Sequence, residues 1–246
     1  MIRYLRLEMQ RAVLSRTFAV GVALATAAGL TGMVPELRFG HEAGAVYVFR
    51  MFYNSGLSLL APMLATIPFA QSFAAERNSG FLRSIMCRMP ARRYAIGKLV
   101  SAALSGGLVL AGPLLGVLLW ATSVYPIVAD PNGNPVLVGR LSVEPLAFMW
   151  ISVGLAFLFG ATFSVVGLAG SVFFRSPYYA NVVPLPIYIV PALFLVYAGL
   201  PYLDPPMMWS PSNNVGTTPA TVGGQYAAVL AVSVFLFFTF LRLREE

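Results

Sequence analysis

Six blocks of mainly apolar residues run along the chain, at about Phe18 to Val34, Ser55 to Phe73, Leu99 to Tyr125, Pro145 to Phe174, Ala180 to Leu200 and Gln225 to Leu241. A helix that crosses a bilayer needs roughly 20 such residues. Each block therefore predicts one span; the first is the shortest, and the fourth is long enough to require tilt. No polar stretch between them is long enough to fold separately. The pattern predicts an all-α polytopic membrane protein: one domain over 1–246 with six transmembrane helices. Ahead of the first block, residues 1–16 place Ile2, Leu5, Met9 and Val13 at helical spacing with Arg3, Arg6, Gln10 and Arg11 between them. That suits an amphipathic helix lying in the membrane interface. Before the last block, residues 201–224 are rich in Pro, Gly, Asn and Thr yet hold Leu203, Met207, Met208 and Trp209. This stretch is expected to dip back as a re-entrant segment, with Trp209 at headgroup level.

Composition points the same way. Only 10% of the residues are charged and 58% are apolar, whereas a soluble domain averages about 25% charged. The net charge of +7 raises the question of nucleic acid, and the placement of the charges answers it. With an even number of spans and the N-terminus inside, thirteen basic residues fall in cytoplasmic segments, and only Arg38, Arg50 and Arg140 fall outside. This is the positive-inside bias. It predicts an inner (plasma) membrane protein with both termini cytoplasmic, whose basic surface meets anionic lipid and not nucleic acid. The N-terminus is too rich in arginine for a cleaved signal peptide and is read as retained.

Several function classes are disfavoured by what the chain lacks. Ion-coupled carriers place ionisable residues within spans, and the six blocks hold none; the single histidine, His41, falls in the first outer loop. That loop position and a single histidine also fit neither an intramembrane serine protease nor an H-E-x-x-H zinc site. A Walker A sequence is missing, so the chain is not expected to be an enzyme, and no cofactor or metal is predicted. Asp130, Asn132 and Asn134 imitate the start of a calcium loop, but Pro135 stands where glycine is needed and Leu141 where glutamate is needed, so a turn is expected. Leu104 to Gly107 spell most of an ABC ATPase signature inside the third span, where small residues serve helix packing. Ala156, Gly160 and Ser164 make a similar small stripe on the fourth span. In the fifth, Asn181 precedes Pro184, Pro186 and Pro191. A kinked helix there, with Asn181, Pro184 and Tyr188, is either a pathway wall or an irregular structural helix.

The loop from Ala74 to Lys98 is the longest on the cytoplasmic side and carries six of the sixteen basic residues, along with the single cysteine, Cys87. Asn78, Ser79 and Gly80 can break the incoming helix, after which Phe81, Leu82, Ile85 and Met86 offer an apolar face with Arg83 and Arg88 nearby. Such a face suits insertion into a partner's groove; the plainer alternative is a basic loop whose apolar residues rest on lipid. Glu76, Arg77, Gly80, Leu82, Pro90, Tyr94, Gly97 and Lys98, in that order, resemble the permeases of ABC type-2 exporters. In these the second span runs into an acidic-basic pair, a glycine, a short helix, then a proline and a glycine-lysine leading to the third span. The resemblance implies that the short helix is a coupling helix docking on an ATP-binding subunit, with Glu76, Arg77, Gly80, Phe81, Leu82, Arg83, Ile85 and Met86 as the partner-binding residues. It further implies two ATPase copies, and a second permease copy or a related permease. The expected function is export of a hydrophobic or amphipathic substrate, such as a drug, a peptide or a lipid-linked molecule, through a mostly apolar cavity. The alternative is a membrane scaffold or regulatory subunit that recruits a cytosolic partner through the same loop.

Overall fold

The computed structural model describes residues 2–128, 136–174, 176–211 and 217–242. Their helices are α1 (Ile2–Val13), α2 (Arg16–Met33), α3 (Gly40–Tyr53), α4 (Gly56–Leu64), α5 (Ser72–Asn78), α6 (Phe81–Met86), α7 (Ala91–Val124), α8 (Pro145–Phe173), α9 (Tyr179–Val182), α10 (Pro184–Tyr197), α11 (Pro206–Trp209) and α12 (Pro219–Arg242). Short 3-10 helices cover Val34–Phe39 and Pro201–Leu203, and β1 (Val136–Val138) pairs antiparallel with β2 (Leu141–Val143).

Among the described residues, five stretches are long and apolar enough to cross a membrane: Arg16–Phe39, Ala91–Val124, Pro145–Phe173, Tyr179–Tyr197 and Pro219–Leu241. The mostly helical, polytopic reading of the sequence stands on these. The second expected span does not form one long helix. α4 ends at Leu64, and residues 65–71 turn before α5 begins. Pro62 and Pro68 cannot donate to a helical ladder, and the Thr66 hydroxyl donates to the Met63 carbonyl at 2.6 Å. Summed hydropathy registers none of this.

The segment between the first and second expected spans is itself helical. Within it α3 packs Val48, Phe49, Phe52 and Tyr53 into the core, each no more than 1% exposed. Gly44, at φ +82°, interrupts its first turn, a conformation that glycine adopts without penalty. The next residue, Ala45, donates its N–H to the Pro126 carbonyl at 2.9 Å, which ties α3 to the far end of α7.

α7 and α8 form the central pair. They cross at Gly106, Gly107, Gly160 and Ser164: a Cβ on Gly106 would lie 2.7 Å from the carbonyl oxygens of Ala65 and Gly160. Small residues here let the two backbones touch. At 34 residues α7 rises about 50 Å, well beyond a hydrocarbon core of about 30 Å. Lys98 lies about 40 Å along the axis from Val124, so it belongs to the end of the bundle and not its middle.

Trp209 is not at a surface. It is 1% exposed, stacks on Tyr53 at 4.8 Å and meets the Phe159 ring edge-on at 5.2 Å. Its indole N–H donates to the Tyr53 carbonyl at 3.1 Å. The chain before α12 folds inward because this ring finds an aromatic pocket made by α3 and α8, which satisfies its polar edge as well as its faces.

Candidate functional site

Four of the eight motif residues in the 74–98 segment, Glu76, Tyr94, Gly97 and Lys98, converge on one place. Lys98 is fully buried, and its Nζ donates to Glu76 Oε1 at 2.6 Å and to Glu8 Oε2 at 3.1 Å. Glu76 Oε1 also accepts from Arg11 at 3.2 Å, and its Oε2 accepts from the Tyr94 hydroxyl at 2.7 Å. Arg11 reaches Glu8 Oε1 at 3.2 Å. Two carboxylates thus face two cations, which removes the large cost of burying an isolated charge. Phe69 and Tyr94 place their rings 4.7 and 5.6 Å from Lys98 Nζ and close the cluster from the protein side.

The spacing of the motif follows from this geometry. Glu76 comes from α5, Tyr94 and Lys98 lie one helical turn apart on α7, and Glu8 and Arg11 come from α1. Gly97 is small because the Tyr4 ring lies where its side chain would be. Burial, with the Glu8 and Glu76 carboxylates nearby, holds the Tyr4 phenol well above its ordinary range, so it stays neutral beside them. The inward stripe of α1 is therefore Tyr4, Glu8 and Ala12, while Leu7 and Leu14 are exposed. The amphipathic pattern marks Leu5, Met9 and Val13 as the apolar face, and they are half-buried; the pattern gives no sign that Glu8 is buried.

The residues expected to bind a partner divide into two groups. Glu76 faces inward, as does Arg77, which donates to the carbonyls of Val172 and Phe174 at the end of α8. Gly80, at φ +74°, makes the corner between α5 and α6. Beyond that corner Phe81 is 52% exposed, while Leu82 and Ile85 are half-buried and rest on the cluster of Phe73, Tyr94 and Leu168. The Arg83 and Met86 side chains lie outside the described residues. Phe81, Ile85, Arg88 and Met89 form one wall of a cleft of about 590 Å³, and Tyr4, Leu7 and Arg11 of α1 form the other.

The residues expected along a pathway lie elsewhere. Tyr188 is packed against Phe159 and Phe163 at 5.6 and 5.8 Å, Pro184 is buried at the start of α10, and Asn181 Oδ1 is buried without a hydrogen-bond partner. Asp130, Asn132, Asn134 and Pro135 of the calcium-like sequence lie outside the described residues, whereas Leu141 pairs with Val138 in the hairpin. In comparisons with known protein families and with curated proteins, nothing matches this chain.

Proposed function

We propose that the chain is the membrane-spanning permease subunit of an ATP-driven ABC exporter, with the cleft between α1 and α6 as the docking surface for a separate ATP-binding subunit. The observation that carries this reading is the contrast between the two sides of α6. Its inner side, Leu82 and Ile85, rests on the apolar cluster of Phe73, Tyr94 and Leu168, and its outer side presents Phe81 beside an apolar cleft. A short helix held this firmly yet exposing a large ring at a basic surface is built to be gripped. On this reading Glu76, Arg77, Tyr94, Gly97 and Lys98 hold α6 in place, while Phe81, Ile85 and Arg88 meet the partner. The spans then rock between inward- and outward-open forms as the ATPases close. The permease works with a second copy or a related permease, with both termini cytoplasmic.

The test is co-purification of the ATPase with Phe81→Asp and Arg93→Ala variants at matched membrane levels. Phe81 is exposed, so aspartate there leaves the fold intact but carries a charge into the partner's apolar groove, which costs several kcal/mol. Most of the ATPase should be lost. Arg93 is exposed and outside the cleft, and its removal should cost no more than about 1 kcal/mol. Retention of the ATPase by Phe81→Asp at the wild-type level would remove the support for this reading.

A further inference from the structure

At the opposite end of the bundle a second cation stands in a different setting. Arg50, near the end of α3, is half-buried, and no carboxylate among the described residues pairs with it. Its guanidinium lies over the Phe148 ring at 5.2 Å, which covers one face and leaves the N–H edge to find another partner. It lines a cavity of about 280 Å³ with Asn54, Ser152 and Ser210. Ser152 already donates to the Phe148 carbonyl at 2.8 Å, so the donors left for a ligand are the Asn54 amide, the Ser210 hydroxyl and Arg50 itself.

Val138, Leu155 and Pro211 line this cavity and also a second one, of about 350 Å³, that runs between the hairpin, α8 and the start of α12. Ile151, Leu158 and Val222 make the second cavity apolar. A cation with no carboxylate partner among the described residues thus lines a cavity that shares three wall residues with an apolar slot. We propose that the two cavities form one binding site for an amphipathic anion: a phosphate or carboxylate head on Arg50, and an alkyl chain in the apolar slot. Taking a methylene as about the size of water's share of the liquid, 30 Å³, the slot holds a chain of roughly ten carbons. A partly desolvated arginine is suited to such a head, because its planar fork meets two oxygens at once. The inference stands on these cavities and is independent of the exporter reading.

Decyl phosphate is the probe, titrated against the full-length protein in dodecyl maltoside, with the concentration that gives half the maximal rise in melting temperature as the readout. Inorganic phosphate has no chain and decyltrimethylammonium has the wrong charge, so neither should stabilise at the same concentrations. Arg50→Gln should raise the half-maximal concentration of decyl phosphate about tenfold or more, and Arg50→Lys should raise it less. Gly223 lies on the wall of the apolar slot, and a Cβ there meets nothing within 4 Å. Gly223→Leu adds bulk at the wall of the slot, its Cβ clear of neighbours, and should weaken decyl phosphate similarly while leaving Arg50 untouched. Lipid extracted from the purified proteins identifies the source of the ligand. Enrichment of anionic phospholipid in wild type over Arg50→Gln assigns the site to bilayer lipid; equal lipid with Arg50-dependent decyl phosphate binding assigns it to a free amphiphilic anion. An unchanged response in both Arg50→Gln and Gly223→Leu, or equal stabilisation by decyltrimethylammonium, overturns the proposal.

Discussion

Lys98 and Arg50 are both cations drawn into an otherwise apolar molecule, at opposite ends of the same bundle. Lys98 has two carboxylates within 3.1 Å and no exposed surface. Arg50 has an aromatic ring, a few hydroxyl and amide groups, and a cavity. The first arrangement satisfies itself, so nothing more is needed for it to persist in a folded protein. The second leaves a charge that no carboxylate among the described residues pairs with. Burial of charge therefore has two meanings here: a paired cluster marks architecture, and an unpaired cation beside a cavity marks a place for a ligand.

The strongest way to break this comparison is Lys98→Met. It leaves Glu8 and Glu76 buried with only the half-exposed Arg11, and loss of one member of a buried pair costs about 3–5 kcal/mol. The melting temperature in detergent should fall steeply, and the triple variant Lys98→Met, Glu8→Gln, Glu76→Gln should recover much of the loss. If Lys98→Met melts like wild type, the cluster is not structural. Arg50→Met sharpens the other side: only a cation–π contact of about 0.5–1 kcal/mol is lost and an unpaired charge is relieved, so stability without ligand should change by less than about 1 kcal/mol. A large loss of stability would mean that Arg50 is structural too. The smallest effect is expected for Arg11→Ala. The Arg11 side chain is 56% exposed, so solvent screens its pairs with Glu8 and Glu76, and removing it should cost about 0–1 kcal/mol. An effect as large as that of Lys98→Met would mean the cluster acts only as a unit, measurable by comparing both single variants with the double.

Much of the fold was legible because long apolar helices announce themselves: five of the six expected spans coincide with described helices. The second expected span was not legible as a broken helix because mean hydropathy ignores where prolines and threonine hydroxyls interrupt the ladder around Thr66. α3 was missed for the opposite reason. Glu42 and Arg50 make its composition polar, yet Ala45, Phe49 and Phe52 recur at helical spacing, and that signal was present. At the candidate site, the exposed position of Phe81 and the corner at Gly80 were legible from local patterning. The inward turn of Glu76, and its meeting with Glu8 and Lys98 across 68 and 22 positions, was not, because a charge in an amphipathic or basic segment looks solvated until its partner is known. The aromatic pocket around Trp209 was not legible either, because an interfacial belt and such a pocket both suit a ring with one polar edge.

The length of α7 has a mechanical consequence. One uninterrupted helix begins beside α6, carries Lys98, and ends at the turn where Pro126 holds α3. A hydrogen-bonded rod of this kind resists compression, so a displacement imposed at Ala91 can be absorbed only by tilting the whole rod or by bending it. The place where bending is cheapest is Pro113, which offers no N–H to the carbonyl four residues back. The rod and its single compliant joint thus put the two ends of the molecule in direct mechanical contact, with no flexible loop between them to dissipate the stroke.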